Sequence, residues 1–244
     1  MATAPHSLVV ITYNIRLGIQ EGVPALAAAL SDYEPPDILA IQEVGEHWTM
    51  GPPGSSTTEL ARLLGLSHFV HIPAICEKGP DGNLARYGHA LLSRWPISSP
   101  LILNLPRQAD EPRTLLRAQI EIPGHPVEIL STHLSYLPSD RPAQGEFLLR
   151  WLREHKTGTQ PRFFLGDLNA DLRDDPRDQW LQHFHEHWQE ADRELARLTY
   201  PSSDPRLRLD YIFARNARCT RVELGQNPAP SDHFPLFSTW EIGD

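Results

Sequence analysis

The stretch FFLGDLNADLRDD, residues 163–175, passes from apolar residues to acids within a few positions. Its first three residues favour a β-strand, Gly166 interrupts the run, and Asp167 and Asn169 follow directly. Glycine, aspartate and asparagine all suit a tight turn. The stretch alone therefore predicts a strand that ends either in a plain polar turn or in a functional site. The pattern of polar residues in the rest of the chain distinguishes these two possibilities.

Strand-like runs alternate with helical patterns along the 244 residues. The predicted strands occupy residues 7–15, 37–44, 88–97, 127–135, 162–169, 207–214 and 234–242. The predicted helices occupy residues 23–33, 56–66, 141–155 and 175–191. Such alternation indicates an α/β fold. Because no long linker or sequence repeat interrupts it, we expect residues 1–244 to form a single domain.

The composition is that of an ordinary globular protein with an acidic balance. The formal net charge is −9, so nucleic acid is a possible partner that the charge does not favour. No apolar run approaches the roughly 18 residues of a membrane span. The first residues carry no basic segment ahead of a short apolar stretch, which predicts a first strand and not a signal peptide. Two cysteines, Cys76 and Cys219, give no disulfide framework, so we expect a reduced, cytoplasmic setting. The oligomeric state is left open.

Polar residues recur where the predicted strands begin or end. Ligand sites in α/β proteins gather at such strand ends, and so many polar ends are hard to explain as turns alone. We therefore expect these side chains to meet in one site: Asn14, Glu43, His133, Asp167, Asn169, Asp210, Asp232 and His233.

The residue types in this set favour one kind of chemistry. Carboxylate and amide oxygens without a thiolate favour a hard divalent cation, Mg²⁺ or Mn²⁺. Two histidines add proton transfer and hydrogen bonding near neutral pH. A metal ion, acids and imidazoles together predict hydrolysis of a phosphate ester, with charge stabilisation as the largest contribution.

Six short motifs in chain order carry a family resemblance: TYNIR, IQEV, STHL, GDLNA, LDYIF and SDHFP, between residues 12 and 235. They resemble the endonuclease/exonuclease/phosphatase superfamily. The resemblance implies a deoxyribonuclease I-like fold, a four-layer α/β sandwich of two packed mixed β-sheets flanked by helices. It also implies a metal-dependent phosphate ester hydrolase, with a phosphodiesterase as the favoured activity.

The same resemblance implies roles for the site residues. Glu43 would be the principal metal ligand, supported by Asn14 and Asp232 and by Gln42 behind it. The implied catalytic residues are His133, Asp167, Asn169, Asp210 and His233. Within this group Asp167 and Asn169 would position water and phosphate, Asp210 would orient His233, and His133 would stabilise the phosphate or the leaving group. Whether Asp167 or His233 is the general base stays open.

Two further residues are candidates for substrate binding. Arg113 lies in an EPR motif that recurs in bacterial members of the superfamily, and a guanidinium suits bidentate contact with phosphate. A surface salt bridge is the alternative for Arg113. His89, in RYGHALLS, stands where the family often has asparagine. It would either replace that amide as a donor or mark a changed specificity.

The motifs define the chemistry better than the substrate. This chain has QEV where exonuclease III-type enzymes usually have QET, and this difference argues against an abasic-site endonuclease. It has RLDYIF where the 5-phosphatases have WCDRI, and this difference argues against an inositol polyphosphate substrate. A deoxyribonuclease-like nuclease and a sphingomyelinase- or phospholipase C-like enzyme are the specific alternatives. Two alternatives are not enzymes: an inactive phosphoester-binding module and a purely structural α/β domain.

One further motif matches a zinc-binding pattern. HFHEH, residues 183–187, matches the H-x-x-E-H pattern of some zinc proteases. On a helix that begins near Pro176, with Asp175 as its N-cap, Trp180 and Phe184 define the core face and Glu186 points outward. We interpret this segment as an ordinary amphipathic helix.

Overall fold

The computed structural model describes residues 6–79, 82–156, 158–194, 197–226 and 229–243. Within these ranges the chain forms two six-stranded β-sheets and four α-helices. The strands are β1 (His6–Asn14), β2 (Ile38–Glu46), β3 (His68–Lys78), β4 (Leu84–Ser93), β5 (Ile97–Asn104), β6 (Thr114–Ile120), β7 (Val127–His133), β8 (Arg162–Asp167), β9 (Gln189–Glu190), β10 (Asp210–Arg215), β11 (Arg218–Leu224) and β12 (Leu236–Ile242). The helices are α1 (Gly22–Ser31), α2 (Ser56–Leu64), α3 (Arg141–Glu154) and α4 (Trp180–His187).

Both sheets are mixed. The first sheet has the order β11-β12-β1-β2-β4-β3, and the second has the order β5-β6-β7-β8-β10-β9. Two pairs, β1 with β2 and β7 with β8, are parallel, and the other neighbours are antiparallel. A parallel pair needs a crossover connection. Helices α1 and α3 lie in these two crossovers.

Side-chain alternation along the strands builds four layers. On β1, Leu8 faces the interior between the sheets, whereas Val9 packs with residues of α1 and α2. On β8, Phe163 faces the same interior, whereas Phe164 packs with residues of α3 and α4. Each sheet therefore buries one face on the other sheet and one face under helices. The predicted four-layer α/β sandwich is confirmed.

The seven predicted strands are all present, but five further strands were missed. Four of them, β3, β5, β9 and β11, are the outer strands of the two sheets. Their burial is low, and Pro73 and Pro100 lie within two of them. Edge strands tolerate proline and lack a fully buried face, so their apolar pattern is weak. The fifth, β6, lies inside the second sheet.

The helix predicted at residues 175–191 is shorter than expected. Asp175 does cap the segment, accepting a hydrogen bond from the backbone N–H of Arg177, but only a 3₁₀ turn follows before α4. The chain leaves the helix at Trp188 because the next residues form β9 against β10. The core face is as predicted: Trp180 and Phe184 are buried, and the side chain of Glu186 is 55% exposed.

In the described parts of the chain, no helix is long and apolar enough to cross a membrane.

Candidate active site

The interior between the sheets changes from apolar to polar at one end. Each polar side chain continues the inward-facing alternation of its strand. All are less than a tenth exposed. The members are Thr12 and Asn14 on β1, Gln42 on β2, His89 on β4, Thr114 on β6, Ser131 and His133 on β7, Asp167 on β8 and Asp210 on β10.

Strand pairing in the second sheet sets three of these residues side by side. His133 on β7 is opposite Asp167 on β8. Asp167 is in turn opposite Asp210 on β10. Because paired residues share a face of the sheet, the three side chains enter the polar layer together. His233, from the loop before β12, completes a group with Asp167 and Asp210 whose ligand atoms lie within 4.8 Å of one another.

Glu43 reaches the site through a β-bulge. The pairing of β2 with β4 shifts register between Gln42 and Val44. Glu43 has a φ of +53°. Regular alternation would send Glu43 toward the helices with Ile41, but the bulge redirects it. Its carboxylate instead accepts a hydrogen bond of 3.0 Å from the amide of Asn14.

Residues 166–169 form a turn and also contribute side chains to the site. Gly166 has a φ of +146°, and a Cβ there would lie 2.0 Å from the carbonyl oxygen of Thr132, so only glycine fits. Asn169 has a φ of +47° in the left-handed region. Its backbone N–H donates to Asp167 Oδ1 at 2.9 Å, which closes the turn.

Asp167 is the centre of the cluster. The amide of Asn14 donates to its Oδ2 at 2.9 Å. The Nε2 atom of His133 lies 3.5 Å from the same oxygen, and that of His233 lies 3.7 Å away. Burial raises the pKa of Asp167, and the nearby His233 opposes that rise. A buried carboxylate with a raised pKa is suited to accept a proton near neutral pH.

His233 is held as a cation. Its Nδ1 atom lies 2.8 Å from Asp210 Oδ2, and Asp210 is fully buried behind it. Burial by itself would lower the pKa of His233, but the carboxylates of Asp210 and Asp167 outweigh it and raise the pKa. With Nδ1 bound to Asp210, the other ring nitrogen faces Asp167 and the pocket.

His133 is held as a neutral ring with a defined tautomer. Arg113 Nη1 lies 2.7 Å from its Nδ1 atom. A guanidinium only donates, so Nδ1 accepts and the ring proton is on Nε2. Burial, and then the charge of Arg113, lower the pKa of His133 well below its ordinary value. The amide nitrogen of Asn169 lies 3.1 Å from Nε2 but donates to the carbonyl oxygen of Leu134 at 3.0 Å, because two N–H donors do not bond to each other.

Arg113 lies behind this histidine. Its side chain is 6% exposed, and its guanidinium also pairs with Glu111 at 3.0 Å and Asp110 at 3.5 Å. It lines the pocket. The contact that the structure places on it is therefore with His133, and the predicted contact with phosphate stays a prediction.

His89, the second residue predicted to bind substrate, is buried. The residue is 1% exposed, inside the polar layer between the sheets. Its Nε2 atom lies 3.2 Å from Thr114 Oγ1, and its Nδ1 atom lies 3.5 Å from Ser131 Oγ. Burial lowers the pKa of His89 to about 3, so the ring is neutral. His89 is not among the residues that line the pocket, and the predicted substrate contact at His89 stays a prediction.

The oxygen donors fit a divalent cation. Among the described residues, the carboxylate of Glu43 has one hydrogen-bond donor, the amide of Asn14, which also serves Asp167. Asp232, the third predicted ligand, is half-buried at the pocket and pairs with Arg16 at 3.4 Å. One amide and one exposed arginine compensate little of the charge of Glu43 and Asp232, and the hard oxygen atoms of these two acids suit Mg²⁺ or Mn²⁺. Gln42 bonds to Thr12 instead of Glu43.

The pocket above these residues has a volume of about 380 Å³. A larger open cavity of about 740 Å³ lies elsewhere, beside Tyr33 and Glu34, and contains no member of the polar layer. The pocket has further lining residues that were not predicted, and only Leu209 among them belongs to one of the six motifs: Tyr136, Arg141, Asp171, Asp174, Tyr200, Leu207 and Leu209.

Residues 11–233 match the Endonuclease/Exonuclease/phosphatase family, and the chain belongs to this family of phosphoester hydrolases. It is 31% identical to the uncharacterized protein YbhP of Escherichia coli K12 over 172 residues, 64% of this chain and 62% of YbhP. The match thus spans less than two thirds of that relative.

Two solved structures share the fold. An endonuclease/exonuclease/phosphatase from Beutenbergia cavernae superposes with a TM-score of 0.78 at 22% identity, covering 97% of this chain and 72% of that one. Sphingomyelinase C from Streptomyces griseocarneus superposes with a TM-score of 0.68 at 18% identity, covering 97% and 99%.

Proposed function

We propose that this chain is a divalent-metal-dependent phosphodiesterase in which water attacks phosphorus with the help of an aspartate and two histidines. The observation that supports it best is the convergence on Asp167. The amide of Asn14 and the Nε2 atoms of His133 and His233 all lie within 3.7 Å of its Oδ2 atom. A carboxylate between two imidazoles of opposite protonation state is suited to acid–base chemistry on a bound phosphate.

Glu43, Asn14 and Asp232 would hold the metal ion. A bound Mg²⁺ or Mn²⁺ supplies charge stabilisation for the phosphate oxygens and for the attacking water.

The protein side chains divide the remaining work. Asp167 orients the attacking water and accepts its proton, because burial raises the pKa of this carboxyl group. Asn169 donates to a phosphate oxygen from the turn that follows Asp167.

The two histidines act on opposite sides of Asp167. His233, protonated and oriented by Asp210, faces the pocket with Nε2 and stabilises the negative charge of the phosphate. His133 offers a neutral Nε2–H toward the leaving oxygen.

The test is turnover of bis(p-nitrophenyl) phosphate with Mg²⁺ or Mn²⁺ and with a chelator. We expect metal-dependent turnover in the wild type and a loss of about 10²-fold or more in Asp167→Asn and His233→Ala. Glu241→Gln removes a carboxylate at the other end of β12 and should leave the rate unchanged. Metal-independent turnover, or full activity in Asp167→Asn, would refute the proposal. A folded protein that binds phosphoesters and turns none over would be a binding module.

A further inference from the structure

Part of the pocket lining is apolar or aromatic. The residues that contribute to this part are Tyr136, Tyr200, Leu207 and Leu209. Tyr136 is 61% exposed, the highest value among the large hydrophobic side chains in the described ranges. The ring of Tyr200 lies 4.7 Å from the ring of His233, centroid to centroid. The pocket lining therefore includes one aromatic ring beside His233 and one tyrosine side chain that solvent still reaches.

The arginines that line the pocket are already neutralised by acids. Arg141 is buried and pairs with Asp175 at 3.1 Å and Asp178 at 2.8 Å. Arg113 pairs with two acids of its own loop and with His133. Neither guanidinium is free to compensate a charge on a ligand.

Two further acids line the pocket. Asp171 is buried and pairs with Arg173. Asp174 is exposed, and in the part of the chain that the structure describes no cation pairs with it. The pocket thus presents an uncompensated negative charge in addition to the acids that suit a metal ion.

This combination disfavours a polynucleotide. Binding along a nucleic acid backbone needs a cation near each of several phosphates, and these arginines are not available for that. An exposed tyrosine at the mouth of a pocket offers a face on which a flat group can stack.

We infer that the substrate carries a single phosphate next to a flat, uncharged ring, which lies against Tyr136, and that Asp174 repels a second negative charge there. This inference rests on the proposed function and narrows it to small aromatic phosphoesters.

Phosphonates test the inference without being hydrolysed, because their carbon–phosphorus bond replaces the ester. Calorimetry would compare phenylphosphonate with methylphosphonate on the metal-loaded protein. We expect phenylphosphonate to bind about fivefold tighter, which is the scale of one aromatic contact. Tyr136→Ala should bring the ratio close to one. Phe69→Ala, which truncates an aromatic ring on the outer strand β3 that is 43% exposed, should keep the wild-type ratio.

A second pair of ligands tests the charge of the pocket. We expect 4-carboxyphenylphosphonate to bind more weakly than phenylphosphonate, and Asp174→Asn to reduce that difference. Equal binding of the phenyl and methyl compounds, or a preference that survives Tyr136→Ala, would overturn the aromatic site. Equal binding of the two phenyl compounds in the wild type would overturn the role of Asp174.

These outcomes are separate from those of the turnover assay. If bis(p-nitrophenyl) phosphate is hydrolysed but the phosphonates show no aromatic preference, the proposed function stands and this inference fails. If nothing is hydrolysed, the proposed function fails, and the phosphonate ratios still show whether Tyr136 forms a binding site.

Discussion

The side-chain amide of Asn14 lies between two carboxylates, 3.0 Å from Glu43 Oε1 and 2.9 Å from Asp167 Oδ2. Its carbonyl oxygen accepts the backbone N–H of Arg16. An amide N–H carries only a partial positive charge, so it satisfies hydrogen bonds without balancing two anions. At the scale of single residues, this imbalance is the electrostatic reason to expect a cation beside Glu43.

The contact between Arg113 and His133 can be tested by replacing the arginine. Arg113→Lys keeps the positive charge but loses the planar guanidinium that fixes His133. We expect kcat to fall about tenfold or more while KM changes little, because the change reaches the substrate only through His133. Ring ¹⁵N shifts from NMR should also show a mixture of His133 tautomers in the variant.

The matched control is Arg117→Lys, on strand β6, which begins directly after Arg113; Arg117 pairs with Glu128 and does not line the pocket. It should leave both kinetic constants unchanged. A large rise in KM with kcat preserved in Arg113→Lys would instead support the direct phosphate contact that the sequence suggested.

At the scale of elements, irregular backbone at strand ends directs the side chains of the candidate site. The bulge in β2 turns Glu43 toward Asn14, and the left-handed Asn169 brings its amide beside His133. Regular strands would place neighbouring side chains on opposite faces. Local departures from regular geometry therefore allow residues that are neighbours in sequence to serve one site.

Gly166→Ala tests this geometry. The added Cβ would meet the carbonyl oxygen of Thr132 at 2.0 Å, and the φ of +146° is unfavourable for any L side chain. We expect a loss of about 3 kcal/mol or more in the free energy of unfolding, measured by urea denaturation. Gly158→Ala is the control, since its Cβ would meet nothing within 4 Å. Equal stability of the two variants would contradict the close approach of β7 and β8.

At the scale of the whole molecule, the space between the sheets has two parts. Most of it is an apolar core, and one end is a polar layer that includes His89 and Thr114. Burial lowers the pKa of His89 to about 3. The folded protein thus keeps this ring neutral at pH values where the unfolded chain, with a histidine pKa of about 6.5, binds a proton.

This burial predicts a pH dependence of stability. A depressed pKa in the folded state leaves stability intact above about pH 6.5 and removes it as the pH falls toward 3. Between pH 7.5 and 5, His89 should cost the wild type about 2 kcal/mol of unfolding free energy. His89→Asn cannot titrate, so urea denaturation should show a drop smaller by that amount. Equal drops in the two proteins would contradict a neutral, buried His89.

Much of the architecture could be predicted from the sequence. Central strands such as β1 and β8 have continuous apolar runs, because both of their faces are buried. Outer strands such as β3 and β11 bury little, so they left no clear pattern. The length of α4 depended on the pairing of Gln189 and Glu190 with β10, a contact that local pattern does not contain.

The sequence by itself determined the fold class, the family and the residue types of the candidate site, because local apolar patterns and short motifs carry that information. Only the tertiary structure decided how those residues meet. Pairing of β7, β8 and β10 placed His133, Asp167 and Asp210 in one row. Packing of the sheets buried His89 and left Tyr136 at the mouth of the pocket. These are contacts between residues far apart in the chain, and their distances are set by strand register and sheet packing.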